Sequence, residues 1–216
     1  MPRPRTEDKR KRILDAAVKV FARKGYFAAR VSEIAKKAGV ADGTIYLYFR
    51  GKEDILVKLF DERMAEHVQG VREAIGGLAT TEERLLAVAE RHLRALGENR
   101  DLAVVFQVEL RQSTQFMERF TASWLQDYFA VLGEVMEDGQ REGSLREDLN
   151  RKVATKAFFG ALDEMVTSWI IGGKGYDLGQ LAAPVVDLFL RGAAAPTTIA
   201  HARPALAVAG SGRGGK

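Results

Sequence analysis

Apolar residues recur at spacings of three and four along nearly the whole chain, which is the spacing of one face of an α-helix. Only five prolines interrupt the pattern, and four of them stand near the ends. The pattern therefore predicts an all-α fold of about nine helices. The expected helices are residues 7–24, 31–38, 42–49, 52–75, 81–96, 101–111, 115–142, 151–171 and 178–191.

The second and third predicted helices form a closely spaced pair around a glycine. Gly39 supplies the positive-φ position that a sharp helix stop needs, and Asp42 is expected to cap the helix that follows. In that helix Ile45 and Phe49 lie four apart and can anchor one face. Tyr46, Leu47 and Tyr48 lie between these two anchors and are then directed away from the core. This layout is typical of a helix-turn-helix unit whose second helix enters the major groove of DNA.

The charge distribution favours nucleic acid as the partner of this unit. Residues 1–54 hold fourteen Lys and Arg against seven Asp and Glu, a net charge of +7. The whole chain carries only +4, so residues 55–216 sum to −3. A basic segment that carries a groove-sized helix predicts binding to double-stranded DNA, because phosphate neutralisation dominates the affinity of such contacts.

The candidate DNA contacts divide into base-facing and backbone-facing residues. Short or flat groups at the start of the third helix can approach base edges, and flanking polar or charged groups can hold phosphates. The predicted contacts are Arg30, Ser32, Ala41, Asp42, Gly43, Thr44, Tyr46, Leu47, Tyr48 and Lys52.

These segments together resemble the DNA-binding domain of TetR-family transcriptional regulators. The resemblance is carried by ordered motifs over the first 60 or so residues: Ile13-Leu14-Asp15-Ala16-Ala17, Phe21, Gly25-Tyr26, Ile34-Ala35, Ala38-Gly39-Val40, Gly43-Thr44-Ile45-Tyr46, Tyr48-Phe49 and Lys52-Glu53. It implies a homodimer that binds a palindromic operator, with a DNA-binding domain over residues 1–51 and a ligand-binding and dimerisation domain over residues 52–192. Residues 193–216 mix Pro, Gly and Ala without a stable period, which predicts a disordered tail.

Two apolar helices of the second domain contain polar residues that need partners. Gln107 and Arg111 lie one turn apart with Glu109 between them, and Asp163 and Thr167 lie four apart in a helix rich in aromatic residues. Such groups belong either to a buried polar network or to the wall of a ligand cavity, and the residues alone leave both open. The candidate ligand contacts are Phe106, Gln107, Arg111, Phe116, Phe120, Trp124, Phe159 and Asp163.

A finer resemblance extends over nearly the whole chain short of the tail. The ADGTIYLYF segment (41–49), the segment Leu102 to Ser113, the segment Phe159 to Trp169 and Tyr176-Asp177-Leu178 together are similar to the TetR-type FadR repressors of fatty-acid degradation. This resemblance implies long-chain acyl-CoA as the effector that releases the repressor from its operator. The alternative is a TetR-type repressor of an efflux or other metabolic operon that responds to a different small hydrophobic ligand.

An acyl-CoA also needs cations for its phosphates, whereas residues 55–192 carry a net charge of −6. Local clustering of basic residues is therefore required, and the candidates are Arg91, Arg94, Arg111, Lys152 and Lys156.

The last two predicted helices present more apolar surface than one short chain segment needs, which predicts a four-helix dimer interface.

Other chemistries find no support in the sequence. The chain has no cysteine, its three histidines are far apart, and no signature of a nucleotide-binding loop or a catalytic triad is present, so neither a metal site nor an enzyme is expected. No apolar run approaches the roughly 18 to 20 residues that span a bilayer, so we expect a cytoplasmic protein without membrane contact.

Overall fold

The computed structural model describes residues 4–109, 111, 124–173 and 175–191. These residues fold as nine α-helices with no strand among them. A π-helical turn, Val105–Glu109, continues α6, and a 3₁₀ turn, Leu178–Leu181, precedes α9. The helices are α1 (Pro4–Lys24), α2 (Val31–Ala38), α3 (Asp42–Ile45), α4 (Lys52–Ile75), α5 (Thr81–Gly97), α6 (Arg100–Val104), α7 (Trp124–Arg141), α8 (Arg151–Gly172) and α9 (Ala182–Arg191).

The predicted all-α fold is confirmed, and most of the predicted boundaries lie within a few residues of the observed ones. Two helices differ in kind: α3 ends at Ile45 and continues as a turn, and the helix expected over 101–111 passes from α to π geometry at Val105. Apolar spacing does not distinguish a π turn, which holds one more residue than an α turn. The first residues expected in α7 (115–123) and the expected tail (193–216) lie outside the described part of the chain.

Side-chain caps define several helix ends. Thr80 accepts a hydrogen bond from the Glu83 N–H, and the Glu83 carboxylate accepts one from the Thr80 N–H at 3.0 Å, which is a capping box at the start of α5. These same bonds lower the pKa of Glu83. The expected cap at Asp42 is wrong, because Ala41 occupies the N-cap position and Asp42 already lies in the first turn. Its negative charge therefore lies in the first turn, near the positive end of the helix dipole.

The helices pack around two hydrophobic clusters. The first, which we call the head core, joins α1, α2 and α3 to the start of α4, with Ile13, Phe21, Ile34, Ile45 and Leu59 fully buried. The second, the body core, lies among α4, α5, α7, α8 and α9. α6 belongs to both, because Leu102 packs into the head core and Ala103 into the body core. The two parts of the molecule therefore meet along α6 and its π turn. Among the described residues no helix combines the length and the apolarity needed to cross a membrane.

Candidate DNA-reading head and ligand cavity

The exposed surface of the head is set by how α3 is anchored. Ile45 and Phe49 are buried in the head core, so Tyr46 and Leu47 between them are directed outward, 60% and 81% exposed. The expectation that Tyr48 also points away from the core is only partly met, because its ring packs against the head core. Gly39 turns the chain between α2 and α3 with φ 67° and ψ 39°, a left-handed conformation that glycine adopts without strain. The structure thus displays a large aromatic and a large aliphatic side chain side by side on a basic head.

The other predicted DNA contacts surround this pair. Arg30, Ser32, Ala41, Asp42 and Gly43 are exposed, and a Cβ added at Gly43 would meet no described atom within 4 Å. The remaining three candidates are partly buried: Thr44, Tyr48 and Lys52. Open backbone at Gly43 suits close approach to a phosphate.

Lys52 has a structural role that the sequence does not reveal. Its Nζ donates to the carbonyl oxygens of Phe27 and Ala29, both at 3.0 Å, and lies 4.6 Å from the centre of the Tyr26 ring. Burial lowers the pKa of Lys52. The ammonium therefore ties the start of α4 to the loop before α2, and only part of its donor capacity is left for a phosphate.

The start of α2 is capped in an unusual way. The backbone N–H of Arg30 donates to the Glu33 carboxylate at 3.2 Å, and Glu33 also forms an ion pair with Lys24. The Lys24 contact, followed by the Arg30 N–H, lowers the pKa of Glu33. Because Glu33 completes the cap, the Arg30 side chain is exposed and can reach toward a phosphate.

A cavity of about 620 Å³ lies in the body, a size in the ~300–1,000 Å³ range of small-molecule sites. Five of the eight predicted ligand contacts line it: Phe106, Gln107, Arg111, Phe159 and Asp163. Of the others, Phe116 and Phe120 lie outside the described residues, and Trp124 begins α7 but its side chain is not described. The sequence missed several lining residues on α4, α5, α6 and α7: Phe60, Met64, His67, His92, Leu96, Leu102 and Tyr128.

A polar network forms one wall of this cavity. Gln107 Nε2 donates to Asp163 Oδ1 at 2.7 Å, and Arg111 donates to Asp163 Oδ2 at 2.5 Å. Thr167 Oγ1 donates to Gln107 Oε1 at 3.3 Å. The two alternatives for these residues, a polar network or a cavity wall, are therefore both realised, and the Asp163 charge is balanced by Arg111 within the wall.

The basic residues proposed for the effector phosphates separate into two groups. Arg91 and Arg111 line the cavity, together with Arg63. Arg91 lies against α4 at Gly70, where an added Cβ would stand 2.1 Å from its Nη2 atom. Arg94 instead packs beside Gly179. The exposed α8 residues Lys152 and Lys156 are not among the lining residues of the cavity.

Glu109 connects the cavity region to the head. Its carboxylate is buried, 5% exposed, and accepts a hydrogen bond from the backbone N–H of Tyr26 at 2.6 Å. Gln107, two residues earlier in the same π turn, faces Asp163 and the cavity. One turn of chain therefore contacts the ligand space on one side and the loop before α2 on the other.

Two histidines and a tyrosine form a buried cluster at the cavity. His92 Nδ1 lies 3.2 Å from the Tyr128 hydroxyl oxygen, and the His67 ring centre lies 5.7 Å from that of His92 and 5.2 Å from that of Tyr128. Burial lowers the pKa of His67 to about 3 and that of His92 to about 4, and for His67 the proximity of His92 and Arg91 adds to the effect. Both imidazoles are therefore neutral at pH 7. Each histidine lies on the apolar face of its helix, and this position is the signal in the sequence for a buried imidazole.

Metal binding finds no support in this geometry. Across the described ranges no group of three or more His, Cys, Asp or Glu side chains is placed to hold a metal ion.

Comparison with known proteins places the chain in a family. Residues 13–59 match the family described as bacterial regulatory proteins, tetR family, and residues 60–192 match the C-terminal region of YsiA-like proteins. The fatty acid metabolism regulator protein of Bacillus subtilis (strain 168) is 42% identical over 180 residues, which cover 83% of this chain and 93% of that protein.

Solved structures show the same similarity. The fatty acid degradation regulator FadR from Bacillus halodurans matches with a TM-score of 0.80 and 42% identity, over 84% of this chain and 98% of that one. FadR from Bacillus subtilis in complex with stearoyl-CoA matches with a TM-score of 0.81 and 41% identity over the same shares. The exposed reading helix, the separate ligand cavity and these matches have one explanation: the chain belongs to the TetR family of bacterial regulatory proteins.

Proposed function

We propose that this protein is a cytoplasmic transcriptional repressor of fatty-acid degradation genes, released from a palindromic operator by long-chain acyl-CoA. Residues 1–51 would read DNA, and residues 52–192 would bind the effector and dimerise. The proposal is supported by the similarity to a Bacillus regulator of fatty acid metabolism and to a FadR structure that holds stearoyl-CoA.

The observation that carries the proposal is the double contact of the π turn. Gln107 faces the cavity through Asp163, and Glu109 holds the Tyr26 N–H in the head. A ligand that moves one side of this turn must change the position of the other, because the segment is short and packed on both sides. Ligand affinity and DNA affinity then affect each other reciprocally, as linkage requires.

The head has the surface that operator binding needs. Tyr46 and Leu47 can contact base edges, with Leu47 suited to a thymine methyl group, while Arg30, Ser32 and the open backbone at Gly43 can hold phosphates. The net charge of +7 over residues 1–54 adds a salt-dependent attraction to DNA.

Exposed apolar side chains on α8 and α9 support a homodimer. Ile171 is 80% exposed, and Val153 and Leu188 are also exposed large apolar residues on these two helices. Apolar side chains on adjacent helices are suited to pair with a second copy as a four-helix bundle. A twofold dimer carries two reading helices and therefore favours a palindromic operator.

The alternative, a cationic or aromatic effector of the kind that an efflux regulator senses, calls for available carboxylates in the cavity. Glu109 and Asp163 are the acidic residues of the two polar segments that could serve this purpose. Glu109 accepts from the Tyr26 N–H instead, and Asp163 is bonded to Gln107 and Arg111. Neither of these two carboxylates is therefore available to a cationic effector, whereas Glu66 and Glu98 also line the cavity.

Release from DNA tests the proposed function directly. The purified protein would be bound to its own promoter region and titrated with stearoyl-CoA, with free stearate and CoA as controls. We expect stearoyl-CoA alone to release the DNA. Tight DNA binding that none of the three changes would overturn acyl-CoA as the effector, and the absence of sequence-selective, salt-dependent DNA binding would overturn the repressor itself.

The Glu109→Gln variant is expected to weaken the coupling between the two sites. The amide removes the charge from a bond between a carboxylate and a backbone N–H, the charge-assisted kind that is about twice as strong as a neutral one. We expect a loss of about 1–2 kcal/mol in the free energy of unfolding and a several-fold change in the ratio of stearoyl-CoA affinities with and without DNA.

A carboxylate on the surface provides the matched control for this variant. Glu134 pairs with Arg72 at 3.3 Å on an exposed part of α7, and Glu134→Gln should change stability by less than about 0.5 kcal/mol and leave the coupling intact. Equal behaviour of the two variants would rule out the π turn as the coupling element.

A further inference from the structure

The cavity contains two buried nitrogen atoms that make no hydrogen bond within the described part of the chain: Nε2 of His67 and Nε2 of His92. Both histidines line the cavity. A buried polar atom without a partner costs free energy, and native structures rarely retain one unless water or a ligand completes the bond. The two atoms are therefore candidates for a hydrogen bond with a polar group of the effector.

The hydrogen bond between His92 and Tyr128 determines which ring nitrogen of His92 carries the proton. The Tyr128 hydroxyl is buried and lies 3.2 Å from His92 Nδ1. If Nδ1 carried the proton, the hydroxyl would accept it and its own O–H would need another acceptor, and no such bond is found among the described residues. The hydroxyl therefore donates to Nδ1. Because a neutral imidazole carries one N–H, the proton of His92 is on Nε2, and that atom is a buried donor on a residue that lines the cavity.

The position of the histidines along their helices indicates which part of an acyl-CoA they meet. Each follows a charged residue of the cavity wall, Glu66 before His67 on α4 and Arg91 before His92 on α5. One turn further along α5, Leu96 belongs to the apolar part of the same wall. The lining around the pair is therefore mixed, with charged Glu66 and Arg91 and apolar Met64 and Leu96 on the same two helices, as the junction between the CoA group and the acyl chain requires.

We propose that His92 Nε2–H forms the binding site for the thioester carbonyl oxygen of the effector, with the His67 ring centre 5.7 Å from that of His92. Tyr128 acts as a positioning residue that holds His92 in the donor tautomer. This inference rests on the proposed acyl-CoA function and adds to it a specific recognition of the carbonyl. An uncharged donor suits a thioester oxygen, which is itself uncharged and needs a hydrogen bond rather than an opposite charge.

A pair of CoA ligands that differ only in the carbonyl provides the test. Stearoyl-CoA and S-octadecyl-CoA, in which a methylene replaces the carbonyl, would be titrated into the full-length protein by calorimetry. We expect the wild type to bind stearoyl-CoA about tenfold more tightly than S-octadecyl-CoA, because one hydrogen bond to a buried donor contributes a difference of that size. His92→Leu should lose the preference, so that the two ligands bind this variant with equal affinity.

Two further variants separate positioning from simple filling of the cavity. Tyr128→Phe removes the hydroxyl but keeps the ring, so it should reduce the preference for the thioester and shift the His92 ¹⁵N resonances toward a mixture of tautomers. Phe159→Leu trims an apolar wall residue near both His92 and Tyr128 and should weaken both ligands equally.

A readout on the wild-type protein keeps the test valid if a variant fails to fold. The infrared band of stearoyl-CoA labelled with ¹³C at the carbonyl should move to lower frequency on binding, as hydrogen bonding requires. Equal affinity of the wild type for the two ligands, or an unmoved carbonyl band, would overturn the inference while leaving the acyl-CoA function standing. Failure of both ligands to bind would overturn the proposed function and the carbonyl site with it.

Discussion

Acidification from pH 6.5 to pH 5 is expected to lower the free energy of unfolding by roughly 3 kcal/mol, a large part of the total for a domain of this size. The cause is the buried pair His67 and His92, whose folded-state pKa values are about 3 and about 4 against an ordinary value of 6.5. In this window the unfolded chain binds protons at both rings and the folded chain binds none. Stability is therefore full above pH 6.5 and falls as the pH decreases toward the folded-state pKa values.

Urea unfolding at pH 7, 6, 5.5 and 5 would measure this effect. His67→Phe keeps an aromatic ring at the same place and should roughly halve the dependence on pH, whatever it does to stability at pH 7. Glu33 and Glu83 have lowered pKa values, so their contribution to stability is lost only below about pH 4.5. They therefore do not cause a change in stability between pH 6.5 and pH 5. A stability that is constant from pH 6.5 to pH 5 would mean that both imidazoles titrate as exposed groups do.

Replacement of Tyr46 by alanine is expected to lower operator affinity by roughly 10- to 100-fold at fixed salt, which corresponds to about 1–3 kcal/mol for a lost contact with a base edge. The side chain is 60% exposed and stands beside the anchored Ile45, so its loss should leave the fold and the dimer unchanged. Binding to unrelated DNA should change little, because the phosphate contacts remain.

A second exposed tyrosine, Tyr176, serves as the control for this substitution because it belongs to the body and contacts Trp169 through its backbone oxygen. Tyr176→Ala should bind the operator as the wild type does. The measurement is a titration of operator and scrambled DNA at two salt concentrations. Selective binding by a folded Tyr46→Ala protein would refute the proposed role of Tyr46.

The sequence predicts this molecule well wherever local periodicity decides the structure. Apolar spacing gives the helices, Gly39 gives the turn of the head, and the anchor positions Ile45 and Phe49 identify Tyr46 and Leu47 as outward-facing. Each of these inferences depends on residues within a few positions of one another, where helix geometry fixes which side chains share a face.

Contacts between distant segments explain what the sequence did not predict. The bond between Glu109 and the Tyr26 N–H joins residues 83 positions apart, and the His92–Tyr128 contact joins residues 36 apart. Neither follows from a repeat or a motif, since each depends on how whole helices pack. The π turn was not predicted for a related reason. Its extra residue directs Gln107 and Glu109 to different partners, and only the folded structure shows those partners.

The sharing of α6 between the two cores limits how this protein could be taken apart and recombined. The head core includes Leu59 of α4, which lies outside residues 1–51. It also includes Leu102 and Val105, which are far from residues 1–51 in the sequence. An isolated reading head would therefore expose apolar surface that the body normally covers. A chimera that combines this head with the sensor of another regulator would need a matching α6, so new specificities would arise more readily by exchanging side chains on α3 or along the cavity than by exchanging whole domains.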